Sequence, residues 1–451
     1  MASLSKDMST GREAKNLVVF AAPLFLSYFL QALYGSVDTI IVGQFAHLGD
    51  VAGVTQGSQV MHILTQAVSG LSTGAVVLIS RYLGAKREKD LKETVHTLFS
   101  LFACAALVCS TLIIILDDPL IRLIGLDRNA AAPMQSYLKI CGAGMLFVFF
   151  YNCISAVLQA LGDSRHPLLF VGIACGINVI LDLVFVAYLG MGAAGAAFAT
   201  VLAQGVSVVL SVGFLRRRNF VFDFRLKSFA VTKDKLKLLL QLGIPYALQR
   251  TVVASSFLAI SGLSNSFGLA AGSASGVVSK INNFATMPFT AMATAITTAA
   301  GQNIGANRLD RSKKSLWIGA SISFGVGACL FSLVQFFPEA CLRLFSPDPA
   351  LLAAGVGFLR LYSIEYLLMP FTFSVNGFLS ATGHTWMPLV NGLVASLLLR
   401  VPLAILFAKL IGFSGIALGS SLAVLGAVCS CFLFYFSGRW GREVIPEATN
   451  S

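Results

Sequence analysis

The sequence predicts an all-α integral membrane protein with twelve transmembrane helices. These helices form two parallel six-helix lobes, related by a pseudo-two-fold axis along the membrane normal. Two observations predict this fold class. The 451 residues are 56% hydrophobic and only 12% charged, which is too little charge to cover a soluble protein of this size. Motifs of the first half of the chain also recur in the second half.

Twelve segments are apolar and long enough to cross a membrane, which takes roughly 20 residues for each helix. The first segment follows a short polar stretch and contains Pro23, but it is too long for a secretory signal peptide and lacks a small-residue cleavage site. We therefore interpret it as a retained helix. The predicted spans are 17–43, 52–80, 95–116, 134–160, 168–189, 193–214, 237–263, 272–300, 316–337, 352–381, 387–410 and 415–437.

An internal repeat organises the chain. The stretch "YLGAKREKDLK" from residue 82 matches "NIGANRLDRSK" from residue 303, which pairs Gly84 with Gly305 and Arg87 with Arg308. The same offset aligns "VLQALGDSRHP" from 157 with "FLSATGHTWMP" from 378. Because each half has an even number of spans, both halves enter the membrane from the same side. The sequence therefore predicts lobes at 1–215 and 237–451, joined by a basic cytoplasmic linker at 216–236.

The net charge of +12 is distributed unevenly along the chain. If both termini are cytoplasmic, the cytoplasmic loops hold the basic runs within 81–92, 216–237 and 308–314, and the opposite loops hold few basic residues. This is the positive-inside pattern. It predicts a multi-pass protein of the cell membrane whose basic residues set the topology and contact lipid headgroups, with no nucleic acid as partner.

Three acidic residues lie inside predicted spans: Asp38, Asp182 and Glu365. In "INVILDL", Asn178 and Asp182 share one helix face because they are four residues apart. A charge in the bilayer costs at least a few kcal/mol, so such residues are functional candidates. Thr200 on the sixth span extends this polar set of the first half.

The first span carries further polar residues before Asp38, with Tyr34 one turn and Gln31 two turns earlier. Lys139, near the outer end of the fourth span, is the only basic residue inside a span of the first half. We therefore expect a mobile cation, either H⁺ or Na⁺, to neutralise the acids; oxygen ligands suit both. Alternatively, the acids hydrogen-bond helices together or pair with a base from the second half.

The second half contains Arg250, Lys280 and Arg400 inside spans, against the single acid Glu365. At least one base is expected to pair with Glu365, since an unpaired buried charge is costly. The surplus positive charge could instead bind an anionic substrate. A cleft between the two halves is the usual substrate site of a repeated transporter. The candidate cleft residues are Gln59, His62 and Gln66, which share one face of the second span, with Arg250, Lys280, Glu365 and Arg400.

Four motifs resemble one transporter family: "VDTIIVG", "SRYLGAKR", "KINNFATMP" and "GQNIGANR". Together with the six-plus-six repeat, they are similar to the multidrug and toxic compound extrusion (MATE) family over nearly the whole chain. The resemblance implies a V-shaped pair of lobes that exports amphipathic, often cationic, compounds in exchange for H⁺ or Na⁺.

More narrowly, the chain resembles the DinF-like prokaryotic branch of that family. The resemblance implies an amino-lobe cation site at Asp38, Asn178, Asp182 and Thr200, and a first helix that bends at Pro23 and carries Tyr34. The chain departs from the NorM-like branch, whose seventh helix has a glutamate. Here "IPYALQRTVVASS" offers Gln249 and Arg250 instead, which puts a second-lobe cation site in doubt.

Other function classes have less support. A flippase for lipid-linked oligosaccharide or another anionic amphiphile is the alternative, supported by the basic second half. No G-x-x-x-x-G-K-[ST] stretch points to a primary pump, and no His/Cys metal pattern points to an enzyme. We expect no enzymatic activity and no cofactor beyond the coupling ion H⁺ or Na⁺. The expected partners are small amphipathic molecules and the lipid bilayer, and the expected state is a monomer.

Overall fold

The computed structural model describes residues 6–124, 128–218 and 220–441, and within these ranges the regular structure is entirely helical. This confirms the all-α fold with its twelve membrane-spanning segments. The first half contains α1 (Glu13–Phe45), α2 (Leu48–Gly84), α3 (Glu88–Ile124), α4 (Arg128–Ala143), α5 (Met145–Ala160), α6 (Arg165–Asp182) and α7 (Gly192–Arg217). The second half contains α8 (Lys233–Asn265), α9 (Leu269–Gly305), α10 (Leu309–Phe336), α11 (Pro338–Arg343), α12 (Pro349–Tyr362), α13 (Glu365–Ala381), α14 (Trp386–Leu393), α15 (Val401–Ile411) and α16 (Phe413–Phe436).

Each predicted span coincides with one long helix or with consecutive helices. Among the described residues, eight helices are long and apolar enough to cross a membrane, or ten if each bent pair counts as one span. The two remaining spans lie in α8 and α9, which are 33 and 37 residues long. Polar residues such as Arg250 in α8 and Lys280 in α9 lower the hydropathy of these helices.

Four spans are not regular single helices. The fourth is bent by 50° between α4 and α5, and the tenth by 43° between α12 and α13. In the fifth span, α6 passes at Asp182 into a π-helical segment, Leu183–Tyr188. In the eleventh, a π-helical segment, Val394–Arg400, joins α14 to α15. Such π-helical segments are rare and occur often at functional sites.

The internal repeat also appears in the backbone. Lys86 and Asn307, which are separated by the offset of the repeat, both adopt a φ of 57°. Each follows the turn that ends a helix, and a residue in this left-handed region commonly terminates helices. Gly162 and Gly383, at the same offset, have φ values of 85° and 91°. The two halves therefore share local conformations that unrelated apolar helices would not share.

The chain divides into two compact units. Unit 1 holds Leu26–Leu240 and the described residues before Met8, whereas unit 2 holds Met8–Phe25 and the chain from Gln241 onwards. The predicted lobes 1–215 and 237–451 and these units have different boundaries at the beginning of each half. The beginning of α1 packs in unit 2, and the linker with the beginning of α8 packs in unit 1.

Candidate functional site

The two acids of the first half lie next to each other inside unit 1. Asp38 projects from α1 and Asp182 is the last residue of α6, and their side chains are 5% and 0% exposed. The two carboxyl groups are close enough to interact directly. Asn178, one turn earlier on α6, is also fully buried. The structure thus brings together the two acids and the carboxamide.

Hydroxyl groups from two other positions lie beside the acids. The Tyr34 hydroxyl is near the side chains of Thr200, Asp38 and Asp182. Thr200 comes from α7 and is half-buried, although its hydroxyl oxygen is inaccessible to solvent. Three helices, α1, α6 and α7, therefore supply oxygen atoms to one site.

The walls of the site are apolar. A hydrophobic cluster of unit 1 contains Ile41 from α1, Tyr137 and Cys141 from α4, Val186 from the π-helical segment and Ala197 from α7. Tyr137 and Cys141 also lie near Asp38. Water-poor surroundings of this kind strengthen any interaction between the carboxyl groups and a cation.

Most polar atoms of the site have no hydrogen-bond partner among the described residues. In the described part of the chain, no hydrogen-bond partner meets the Tyr34 hydroxyl, Oδ1 of Asp38, either side-chain polar atom of Asn178, either carboxyl oxygen of Asp182 or the Thr200 hydroxyl. None of the ion pairs formed by described residues involves Asp38 or Asp182. Buried polar groups normally have partners. These oxygen atoms can hold a proton or a hard cation such as Na⁺.

The other candidates of the first half are on α1 and α2. Pro23 is inside α1 and half-buried, and Gln31 is exposed. On α2, Gln59 and His62 are exposed, and Gln66 is half-buried. Nε2 of Gln66 is 3.3 Å from Nε2 of His62, so these two side chains contact each other along one face of α2.

The acid of the second half has a basic partner. Glu365, at the start of α13, is fully buried, and Arg400 is 5% exposed. Nη2 of Arg400 lies 3.6 Å from Oε1 of Glu365, and the guanidinium carbon lies 4.6 Å from the centre of the Phe257 ring. Both residues were cleft candidates, but here they are buried and face each other. Of the other bases, Lys280 is exposed on α9 and Arg250 is half-buried on α8.

Three further residues, on α4 and α7, were not predicted from the sequence. Tyr137 and Cys141 of α4 border the site, and Gln204 lies on α7 with a buried Oε1 that has no partner among the described residues. One signal was present, because Gln204 follows Thr200 by four residues and so shares its helix face. Tyr137 and Cys141 carry no such signal, since both occur widely as apolar core residues.

Comparisons with known proteins agree with this fold. The sequence profile of the MatE family matches residues 23–184 and again 245–406, and this double match supports the internal repeat. YpnP of Bacillus subtilis, a probable multidrug resistance protein, is 29% identical over 438 residues, which cover 96% of this chain and 97% of that protein. NorM of Thermotoga maritima, also a probable multidrug resistance protein, is 24% identical over 440 residues, covering 96% and 94%.

Solved structures show the same architecture. A MATE crystal structure in complex with MaL6 superposes with a TM-score of 0.91 at 21% identity, covering 96% of this chain and 98% of that one. A MOP superfamily transporter from Pyrococcus furiosus superposes with a TM-score of 0.90 at 21% identity, covering 97% and 98%.

Proposed function

Because the chain belongs to the MatE family of multidrug efflux transporters, we propose that it is a secondary antiporter that exports amphipathic, cationic compounds in exchange for H⁺ or Na⁺. One observation carries the proposal: Asp38 and Asp182 are buried side by side with no basic partner among the described residues. An acid in a membrane span costs at least a few kcal/mol when its charge is not compensated. A cation that binds there and leaves again compensates that charge intermittently, which is what coupling to a gradient requires.

The cation acts on α1. A proton or Na⁺ between Asp38 and Asp182 removes the repulsion between α1 and α6 and allows Tyr34 and Thr200 to approach. Pro23 lacks a backbone N–H, so α1 is easiest to bend near that residue. Drug affinity then falls when the cation binds. By linkage, the drug must lower cation affinity by the same factor.

The coupling cation binds in unit 1 alone under this proposal. In unit 2, Arg400 compensates the charge of Glu365 within the protein, and a fixed base leaves no reason for a mobile cation to bind. The acidic residue Asp117 of unit 1 is also compensated, because Oδ2 lies 3.2 Å from Nζ of Lys139. Among the buried acids of the described part of the chain, only Asp38 and Asp182 lack a basic partner.

The test measures efflux of a cationic dye from proteoliposomes under an imposed pH or Na⁺ gradient. Asp38→Asn and Asp182→Asn mimic the neutral, cation-bound state permanently, so both should lose gradient-driven efflux and bind the dye more weakly than the parent. Asp117→Asn is the matched control, a buried acid in the same unit that has a base, and it should transport like the parent. Gradient-driven efflux that persists in both site variants would exclude this site as the coupling site.

A second candidate function is the translocation of an anionic amphiphile, such as a lipid-linked oligosaccharide. One observation favours it: Lys280, in the ninth helix, is exposed and forms no ion pair with any described residue. Such a base could bind a phosphate group. Competition between anionic and cationic dyes separates the two functions, because Lys280→Gln should weaken binding of the anionic dye only.

The proposed location is the cell membrane, as a monomer with both termini cytoplasmic. The basic runs at 81–92, 216–237 and 308–314 support this orientation. Reporter fusions after residues 218 and 441 should both be cytoplasmic. A reporter outside the cell at either position would reverse the orientation.

A further inference from the structure

The segment that leads into the first helix of each half, including the beginning of that helix, docks on a helix–helix turn of the opposite half. We call Met8–Glu13 leading segment 1 and Ala230–Lys235 leading segment 2. Leading segment 1 belongs to unit 2, and leading segment 2 belongs to unit 1. The chain changes unit inside α1, between Phe25 and Leu26, and inside α8, between Leu240 and Gln241.

Leading segment 1 is held in unit 2 by side chains around the α9–α10 turn. The backbone N–H of Met8 donates to Oε1 of Gln302 at 2.8 Å. Arg308 donates from Nη1 to the Ser9 carbonyl at 2.8 Å. Arg311 donates to the Gly11 carbonyl and forms an ion pair with Glu13 at 3.3 Å. Met8 is 2% exposed, so the segment is packed as well as hydrogen-bonded.

Leading segment 2 is held in unit 1 by the equivalent α2–α3 turn. The Thr97 hydroxyl accepts from the backbone N–H of Thr232 at 3.1 Å. Lys235 donates to the Asp90 carboxylate and, at 3.1 Å, to the Tyr82 hydroxyl. Arg87 holds Asp90 from the other side, with Nε at 2.8 Å.

The two ion pairs occupy equivalent places in the repeat but have opposite polarity. Arg311 follows Asp90 at the offset that pairs Gly84 with Gly305. The two matches of the family profile are separated by a spacing that is one residue longer than the offset between Gly84 and Gly305. At this longer spacing, Lys235 corresponds to Glu13. In unit 1 the turn supplies the acid and the leading segment supplies the base, whereas in unit 2 these roles are exchanged. The position of the pair is therefore shared, and only its sign differs.

We propose that this opposite polarity determines which turn each leading segment binds. If leading segment 1 bound the turn of its own half, Glu13 would face Asp90; likewise, Lys235 would face Arg311. Like charges disfavour both arrangements, whereas the observed arrangement places opposite charges together. A repeated protein needs such discrimination because its two turns share the left-handed residue at Lys86 and Asn307 and so offer alternative sites for one segment. The same repulsion between like charges also disfavours docking of a leading segment on the wrong turn of a second copy of the protein.

The experiment tests whether each leading segment needs only an ion pair with its turn, or needs the two pairs to have opposite polarity. Glu13→Lys with Arg311→Glu keeps an ion pair in unit 2, but both leading segments now carry a base and both turns carry an acid. In the second double variant, Asp90→Arg with Lys235→Glu, both leading segments carry an acid and both turns carry a base. The quadruple variant combines all four changes and restores opposite polarity with every sign inverted. A benzophenone amino acid in place of Thr10 reports the docking site, read as the cross-linked peptide in the purified full-length protein.

The parent should cross-link to the turn at 303–313 only. Each double variant should also cross-link to the turn at 82–92, in the same or a second copy, and its yield of monodisperse protein should fall several-fold. The quadruple variant should recover the yield and the cross-link of the parent. Double variants that behave like the parent, or a quadruple variant that folds no better than they do, would overturn the proposal. None of these readouts depends on transport, so the result is independent of the proposed function.

Discussion

The ion pair of Lys235 offers the clearest energetic prediction, because three defined contacts surround its ammonium group. Lys235 is 8% exposed although it carries a charge. Its ammonium group donates to Asp90 and to the Tyr82 hydroxyl, and it lies 4.6 Å from the centre of the Tyr82 ring. Lys235→Met keeps most of the side-chain volume and removes these three interactions together.

The magnitudes follow from these contacts. A hydrogen bond to a charged group contributes about 1.5–3 kcal/mol, and a cation–π contact adds about 0.5–1 kcal/mol. We expect Lys235→Met to lower the free energy of unfolding by about 3 kcal/mol, and Asp90→Asn by about 2 kcal/mol because Arg87 loses a partner as well. Since the two variants remove a shared interaction, the double variant should cost about 1.5 kcal/mol less than their sum.

Equilibrium unfolding in mixed micelles measures these free energies, with the exposed Lys237→Met as the matched control from the same helix turn. Burial alone would lower the pKa of Lys235, but hydrogen bonds to Asp90 and Tyr82 outweigh it and raise the pKa above its usual value of 10.5. The folded state therefore holds this proton more tightly than the unfolded state. The contribution is complete at neutral pH and is lost as the pH rises through the raised pKa. A Lys235→Met variant as stable as Lys237→Met, or additive costs in the double variant, would refute the assignment.

Two further predictions concern packing and the candidate cation site. A Cβ on Gly419 would lie 2.5 Å from the backbone nitrogen of Ala404, so Gly419→Ala should destabilise the protein by about 1–3 kcal/mol; Gly276→Ala, with nothing within 4 Å of its Cβ, should be neutral or stabilising in the same unfolding assay. A cation that binds only the folded protein stabilises it by about 2.7 kcal/mol at a hundred times its Kd. The unfolding midpoint of the parent should therefore rise with Na⁺ at constant ionic strength, or with acid, and Asp182→Asn should abolish that dependence. A parent midpoint that responds to neither ion would contradict cation binding in the folded state.

Hydropathy and the repeat predicted the course of the helices well, because both depend on local composition. The bends at α4–α5 and α12–α13 were not predicted, although the predicted spans 134–160 and 352–381 are longer than a bilayer requires. That excess length was not a sufficient signal, because the similarly long spans 52–80 and 272–300 form the single helices α2 and α9. The π-helical segments had no such signal, since they depend on how neighbouring helices pack against one backbone.

The candidate site was predictable only in part. Asp38, Asn178 and Asp182 stood out because polar residues inside apolar spans are conspicuous. Which base meets Glu365 was not decidable among Arg250, Lys280 and Arg400, because a contact between distant helices depends on their rotation and tilt. The docking of the two leading segments was equally hidden, as polar residues near a membrane surface have many possible partners.

The repeat explains why the two units can treat buried charge differently. At the spacing between the two matches of the family profile, Asp38 corresponds to Ile260 and Asp182 to Ala404. In unit 2 these two residues lie in one hydrophobic cluster, 6% and 0% exposed. The place occupied by two acids in unit 1 is thus ordinary apolar core in unit 2.

The charge that unit 2 does bury at Glu365 is compensated by Arg400, so this pair is neutral overall. A fixed ion pair cannot respond to an ion gradient, whereas two acids without a base change their net charge whenever a cation binds or leaves. A duplicated scaffold that retained the acids in both halves would bear the cost of burial twice. Under the proposed function, with the acids in one half only, the cost of burial is borne only at the site where a cation binds and leaves. The equivalent place in the other half contributes apolar packing to stability instead.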